Sequence, residues 1–140
     1  MLRAFAITVI FVSVACIEAL ACRGESFERT IIFDEVPNSI DAPIVVEARI
    51  IDKSERIEPT TGAGWIVMNA QIDSVIKGSI GTPTLKIVTQ GSDCTVGFGA
   101  GSHGIIVGTL RQDAQGTPEL VAIQESKADR AIRKARERRK

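Results

Sequence analysis

A small, mainly β domain closed into a barrel is what the sequence predicts, on three observations. Five stretches carry β-branched and apolar residues in two-residue alternation. Clusters of Gly, Pro, Asn and Asp separate them at short intervals. No helical period intervenes between the strands, which indicates antiparallel pairing rather than strand–helix–strand units.

The elements follow in order. Thr30-Ile31-Ile32-Phe33 is a candidate short strand, punctuated by Asp34, Pro37, Asn38 and Asp41. Residues 44–52 alternate strongly, with Ile44, Val46, Ala48 and Ile50 on one face and Val45, Glu47 and Arg49 on the other. A polar loop spans 53–64. Residues 65–76 form the second barrel strand, with Ile66, Met68, Ala70 and Ile72 on one side. Val75 and Ile76 break the alternation, so a bulge or bend is expected near Ser74. Lys77-Gly78, Gly81 and Pro83 mark a turn. Residues 84–90, 105–111 and 119–124 are the remaining strands, the last two joined as a hairpin through Asp113-Ala114-Gln115-Gly116. Long, bent first strands favour closure, and a five-stranded OB-like antiparallel barrel fits best. A short C-terminal helix follows. Ala128, Ala131, Ile132 and Ala135 make a narrow apolar stripe within 126–140, set among charges. It is expected to dock loosely on the barrel or to fray, with its last residues fraying.

The N-terminus reads as an export signal. Arg3 precedes a charge-free apolar run, and Ala19-Leu20-Ala21 places small residues at −3 and −1 of a cleavage site. The run is about a dozen residues, short of the roughly 20 that span a bilayer. The expected organisation is a signal peptide at 1–21, an OB-like barrel domain at 22–125 and a basic helical tail at 126–140. Cleavage makes Cys22 the first mature residue, and Cys16 departs with the signal. Two readings of Cys22 stay open: a disulfide with Cys94, the other remaining cysteine, or acylation as a lipoprotein. The disulfide would close a loop of roughly 70 residues and contribute on the order of 4 kcal/mol. Location is accordingly secreted or periplasmic, or lipid-anchored through Cys22.

The overall charge of zero conceals a segregation. Residues 22–126 hold eight Lys or Arg against fourteen Asp or Glu, and residues 127–140 hold eight bases against two acids. An acidic body with a basic tail is a statement about partners. The tail, from Lys127 to the terminal Lys140, either folds against the acidic barrel, binds an anionic envelope component, or serves solubility. Export and the scarcity of aromatics argue against nucleic acid.

The order of the central motifs carries a resemblance. Ala48 and Ile50 lie in a first strand, Ala70-Gln71-Ile72 leads to Val75-Ile76-Lys77-Gly78, and Ser92-Asp93-Cys94 and Phe98 precede Gly101 and an apolar strand. This arrangement resembles the netrin-type OB domain of the tissue inhibitors of metalloproteinases and small bacterial exported proteins similar to them. The similarity covers roughly residues 44–110 plus Cys22. It implies that Cys22 pairs with Cys94 and that the mature N-terminal edge, Cys22 and Arg23, contacts a protein partner. In that family the free α-amine and first carbonyl chelate a protease zinc. Here residue 24 is glycine where the animal inhibitors have a second cysteine, and Arg23 takes the place of a small or mid-sized residue.

Other candidate residues point to ordinary roles. Gly97-Phe98-Gly99-Ala100-Gly101 precedes a strand rather than a helix, so it reads as a turn, not a phosphate loop. His103 is the single histidine and is expected to be an exposed loop residue. Asp34-Glu35 beside a turn are expected to be solvated. Trp65 and Phe98 are expected at the core or rim. No nucleophile, base and oxyanion site assemble in sequence. The expectation is a monomeric exported binding module without catalytic residues, metal or cofactor, resembling a protease inhibitor in acting through its N-terminus. The alternative is an envelope-associated structural protein or lipoprotein using its basic tail.

Overall fold

The computed structural model describes residues 28–91, 95 and 98–139. The expected signal peptide at 1–21, Cys22, Arg23 and Cys94 lie outside the described residues, so the expected disulfide and N-terminal edge do too. In order, the elements are β1 (Arg29–Thr30), β2 (Ile44–Ile57), β3 (Gly64–Lys77), β4 (Thr84–Gln90), β5 (His103–Gln112), β6 (Pro118–Ala122), β7 (Glu125–Ser126) and α1 (Lys127–Glu137).

Five strands close into a barrel in the order β2-β3-β4-β6-β5 and back to β2. Counted along the chain this is 1-2-3-5-4, an OB-like arrangement. The expected all-antiparallel pairing needs one amendment: β4 and β6 run parallel, with Ile87 opposite Leu120. The hairpin β5–β6 is antiparallel, so β6 necessarily meets β4 head to head when the sheet closes on itself.

Closure depends on coiling β2 and β3. Their pairing slips three times: Ile51 is extra on β2, while Asp73 and Ile76 are extra on β3. The expected bulge near Ser74 is therefore present, and it bends the strand while turning Val75 and Ile76 to solvent. The alternating faces fall as read from sequence. Val46, Ala48, Met68 and Ala70 are fully buried inside the barrel with Ile87, Ile106 and Leu120. Val45, assigned to the polar face, is buried as well. The segment 33–42 covers it, and Phe33, Ala42, Val45 and Val107 make a second cluster outside the barrel.

At Gly108 the β5 and β6 backbones approach so closely that a Cβ would fall on the Val121 carbonyl. Gly78, at φ +87°, is a second tight site, where a Cβ would meet the Pro43 carbonyl oxygen at 2.7 Å.

The helix corrects the sequence reading. Ser126 caps α1, accepting from the Asp129 N–H at 3.0 Å. Yet Ala128, Ala131, Ile132 and Ala135 all face solvent, and the docked face is the charged one. Arg133 is buried and forms hydrogen bonds with Glu125 at 2.8 and 3.2 Å and with Glu137 at 3.0 Å. Arg130 donates to the Ile32 carbonyl at 2.8 Å, and both guanidinium groups lie over the Phe33 ring. The reason is what the helix meets: an aromatic face and a buried carboxylate, for which guanidinium is a better complement than alanine. Because Ile132 is 52% exposed, Ile132→Ser is expected to change stability by less than about 0.5 kcal/mol in urea denaturation. A loss of several times that would place the apolar stripe at a contact after all. No helix among the described residues is long and apolar enough to cross a membrane.

Candidate functional site

Beyond Arg49 and His103, β2 leaves its β5 partner and continues with β3 as a long hairpin. Glu58 N–H bonds to the Ala63 carbonyl at 2.8 Å and Gly62, at φ +69°, closes the loop. Strand alternation gives the hairpin two faces. One continues the barrel interior, with Glu55 opposite Ile66 and Lys53 opposite Met68; the other carries Arg56 opposite Trp65.

The inner face roofs a cleft of ≈ 280 Å³ at the barrel end, lined by Lys53, Glu55, Ile57, Ile66, Gly91 and Thr95. Phe98 is buried beside it, with the Lys53 ammonium 5.1 Å from its ring centre. The N-terminal chain arrives here. Arg29 forms a parallel bridge with Thr95 while its strand β1 pairs with β7. The described backbone thus brings Arg29 alongside Thr95. Gly101 and Ser102 tie the turn to β2, through the Gly101 N–H to the Ile50 carbonyl and the Ile50 N–H to the Ser102 carbonyl, both at 2.8 Å. The glycine-rich run leads into β5, a strand, and so is a turn as read.

The outer face holds a charge network that sequence reasoning missed. Glu119 is fully buried. It accepts from Arg111 Nε at 2.8 Å and lies 2.7 Å from a terminal nitrogen of the same guanidinium. Arg56 reaches the same carboxylate only at 3.4 Å through each terminal nitrogen. Arg111 also stacks on Trp65, 4.7 Å from its ring, so Trp65 sits at the rim. The four residues are two cross-strand pairs, Arg111 opposite Glu119 and Arg56 opposite Trp65, and the join between the two hairpins had no local signal in the sequence. Beside them Asp113 turns the β5–β6 hairpin, accepting from the Gln115 and Thr117 N–H groups at 2.9 and 2.8 Å and from Lys86 Nζ at 2.7 Å. The Lys86 bond foremost, with the Thr117 N–H next, pushes the Asp113 carboxyl down to about 2. A depressed carboxyl stabilises the fold above its ordinary range near 3.8 and loses that contribution as pH falls through about 2. In an acid titration followed by NMR, the 113–117 amides are therefore expected to hold their native shifts at pH 3 and to lose them near pH 2. Loss by pH 4 would contradict this.

His103 is not a loop residue: it opens β5. Its Nε2 lies 3.1 Å from an Asp73 oxygen and 3.5 Å from a Glu47 oxygen, the β3 bulge having brought Asp73 there. Among the described residues no group of three or more His, Cys, Asp or Glu side chains is arranged to hold a metal ion. Asp34 and Glu35 are exposed as expected, but they are also within 3.7–3.9 Å of Arg130 and Lys134. At the far end of α1, burial raises the Glu137 carboxyl. Hydrogen bonds from the Ser39 hydroxyl and N–H, with Arg133 nearby, outweigh this and lower it overall.

Compared with protein-family models, with curated proteins and with solved structures, the chain matches none.

Proposed function

We propose that the protein is an exported binding module that engages a protein partner with its N-terminal edge, in the manner of a protease inhibitor of the netrin-type class. The observation that carries this reading is the Arg29–Thr95 bridge, because it sets Arg29 beside a residue that lines the cleft at the barrel end and is next in sequence to Cys94. A disulfide between Cys22 and Cys94 would then hold the free α-amine rigidly at that edge.

Two measurements test it in sequence. The intact mass of exported protein is expected to correspond to a chain starting at Cys22 and lighter by two hydrogens; added acyl mass would instead mark a lipoprotein. Surface plasmon resonance against a panel of zinc metalloprotease catalytic domains should then show binding that disappears when Cys22 and Arg23 are deleted. Binding unaffected by the deletion counts against the N-terminal edge.

A second reading draws on the tail. Lys127, Arg130, Arg133 and Lys134 are engaged with Glu28, Asp34, Glu35, Glu125 and Glu137, whereas Arg136, Arg138 and Arg139 are exposed. Among the described residues, this last group favours an anionic envelope surface. Its test is salt-sensitive pelleting with vesicles containing phosphatidylglycerol, lost when Arg136, Arg138 and Arg139 are all replaced by Gln.

A further inference from the structure

We propose that the cleft between the 58–63 and 113–117 loops is a binding site for a ligand oxyanion, a carboxylate or a phosphate, taken by Arg56 with Arg111 beside it. The cleft measures ≈ 530 Å³ and has Arg56, Arg111 and Glu119 among its lining residues. It lies on the outer face of the hairpin and does not rest on the N-terminal reading above.

The argument begins with Glu119. A buried carboxylate needs a cation, and Arg111 already supplies one at charge-assisted distances of 2.7–2.8 Å. Arg56 is a second cation on the same anion, held only at 3.4 Å. Its Nε is buried without a hydrogen-bond partner among the described residues, which is costly for a charged donor. Its side chain is 34% exposed against 1% for Glu119, so it borders solvent while the internal anion does not. An arriving oxyanion would meet the exposed part of that side chain, whose terminal nitrogens hold Glu119 only at 3.4 Å.

The surroundings favour the same ligand. Trp65 under Arg111 holds that guanidinium in plane. Asp113, the neighbouring acid, is engaged with Lys86 and with two backbone N–H groups. Glu58 also lines the cleft and opposes an anion on its side, so the ligand's charge is taken from the Arg56 side.

Trp65 is the single tryptophan and carries Arg111 on its ring, so its fluorescence reports on that guanidinium; it also lines the barrel-end cleft, and the Arg56 variants separate the two. The full chain is titrated with inorganic phosphate and, separately, with succinate, ionic strength being held constant with sodium chloride. A saturable change with either is expected, and the tighter of the two names the source as phosphoryl or carboxylate. Arg56→Ala is expected to weaken binding roughly tenfold or more. Arg56→Lys, which keeps charge but loses the fork, should weaken it similarly and guards against misfolding of the alanine variant. Glu119→Gln removes the internal competitor and should tighten binding, an effect that a purely structural network would not produce. No saturable response to either anion, or unchanged affinity in Arg56→Lys, overturns the proposal.

Discussion

Gly108→Ala is expected to destabilise the protein by about 3 kcal/mol or more. The added Cβ would fall on the Val121 carbonyl, with the Ala122 Cα 3.1 Å away. Both are backbone atoms in the strand paired with β5, so neither can swing aside as a side-chain end could. Overpacking ordinarily costs about 1–3 kcal/mol, and the rigid obstacle here places this site at or beyond the upper end. Gly108 also joins β5 to β2 opposite Ile44, so relief by moving β5 would strain a second seam. Urea denaturation of the purified variant measures the loss. The same substitution at Gly99, where a Cβ meets nothing within 4 Å, should change stability little. Equal midpoints for the two variants would contradict the close approach.

Arg133→Ala should remove about 3 kcal/mol from the docking of α1. Arg133 and Glu125 are 7% and 8% exposed in their side chains, and removing one member of a buried pair strands the other. Arg130, 3.5 Å from Glu125, offers partial compensation, which sets the estimate at the low end of the usual range of about 3–5 kcal/mol. The Glu125 hydrogen bond foremost raises the Arg133 pKa, against the opposing effect of burial, so the guanidinium stays charged throughout the accessible range. The loss should appear locally first, as lost hydrogen-exchange protection in α1 and in β1, whose partner β7 leads directly into the helix. Replacing Glu125 and Arg133 together by Met is expected to recover most of the stability, because the desolvated charges then vanish as a pair. If Arg133→Ala leaves helix protection intact, the ion pair does not anchor the tail.

The two clusters explain which parts of the fold were legible in advance. Strands β2 to β6 were visible because each alternates in its own sequence: Ile44, Val46, Ala48 and Ile50 declare one face without reference to anything else. Even the bulge near Ser74 left a local trace in the broken alternation of Val75 and Ile76. Val45 did not, since its burial depends on Phe33 and Ala42 folding back over the barrel. The candidate sites divide along the same line. Arg111 opposite Glu119 is a partner within the local β5–β6 hairpin, whereas His103 beside Asp73 and Glu47, and Arg56 beside Glu119, join residues that only barrel closure brings within reach.

What the sequence determined by itself was the local part: which residues form strands, where they turn, and that β2 and β3 must coil. Hydrophobic alternation and turn chemistry act over a few residues, so they are written where they act. Which face of α1 packs inward was decided only in three dimensions. A helix buries the face that best complements its neighbour, and here that neighbour presents an aromatic ring and a carboxylate. The charged side went in and the apolar stripe stayed out.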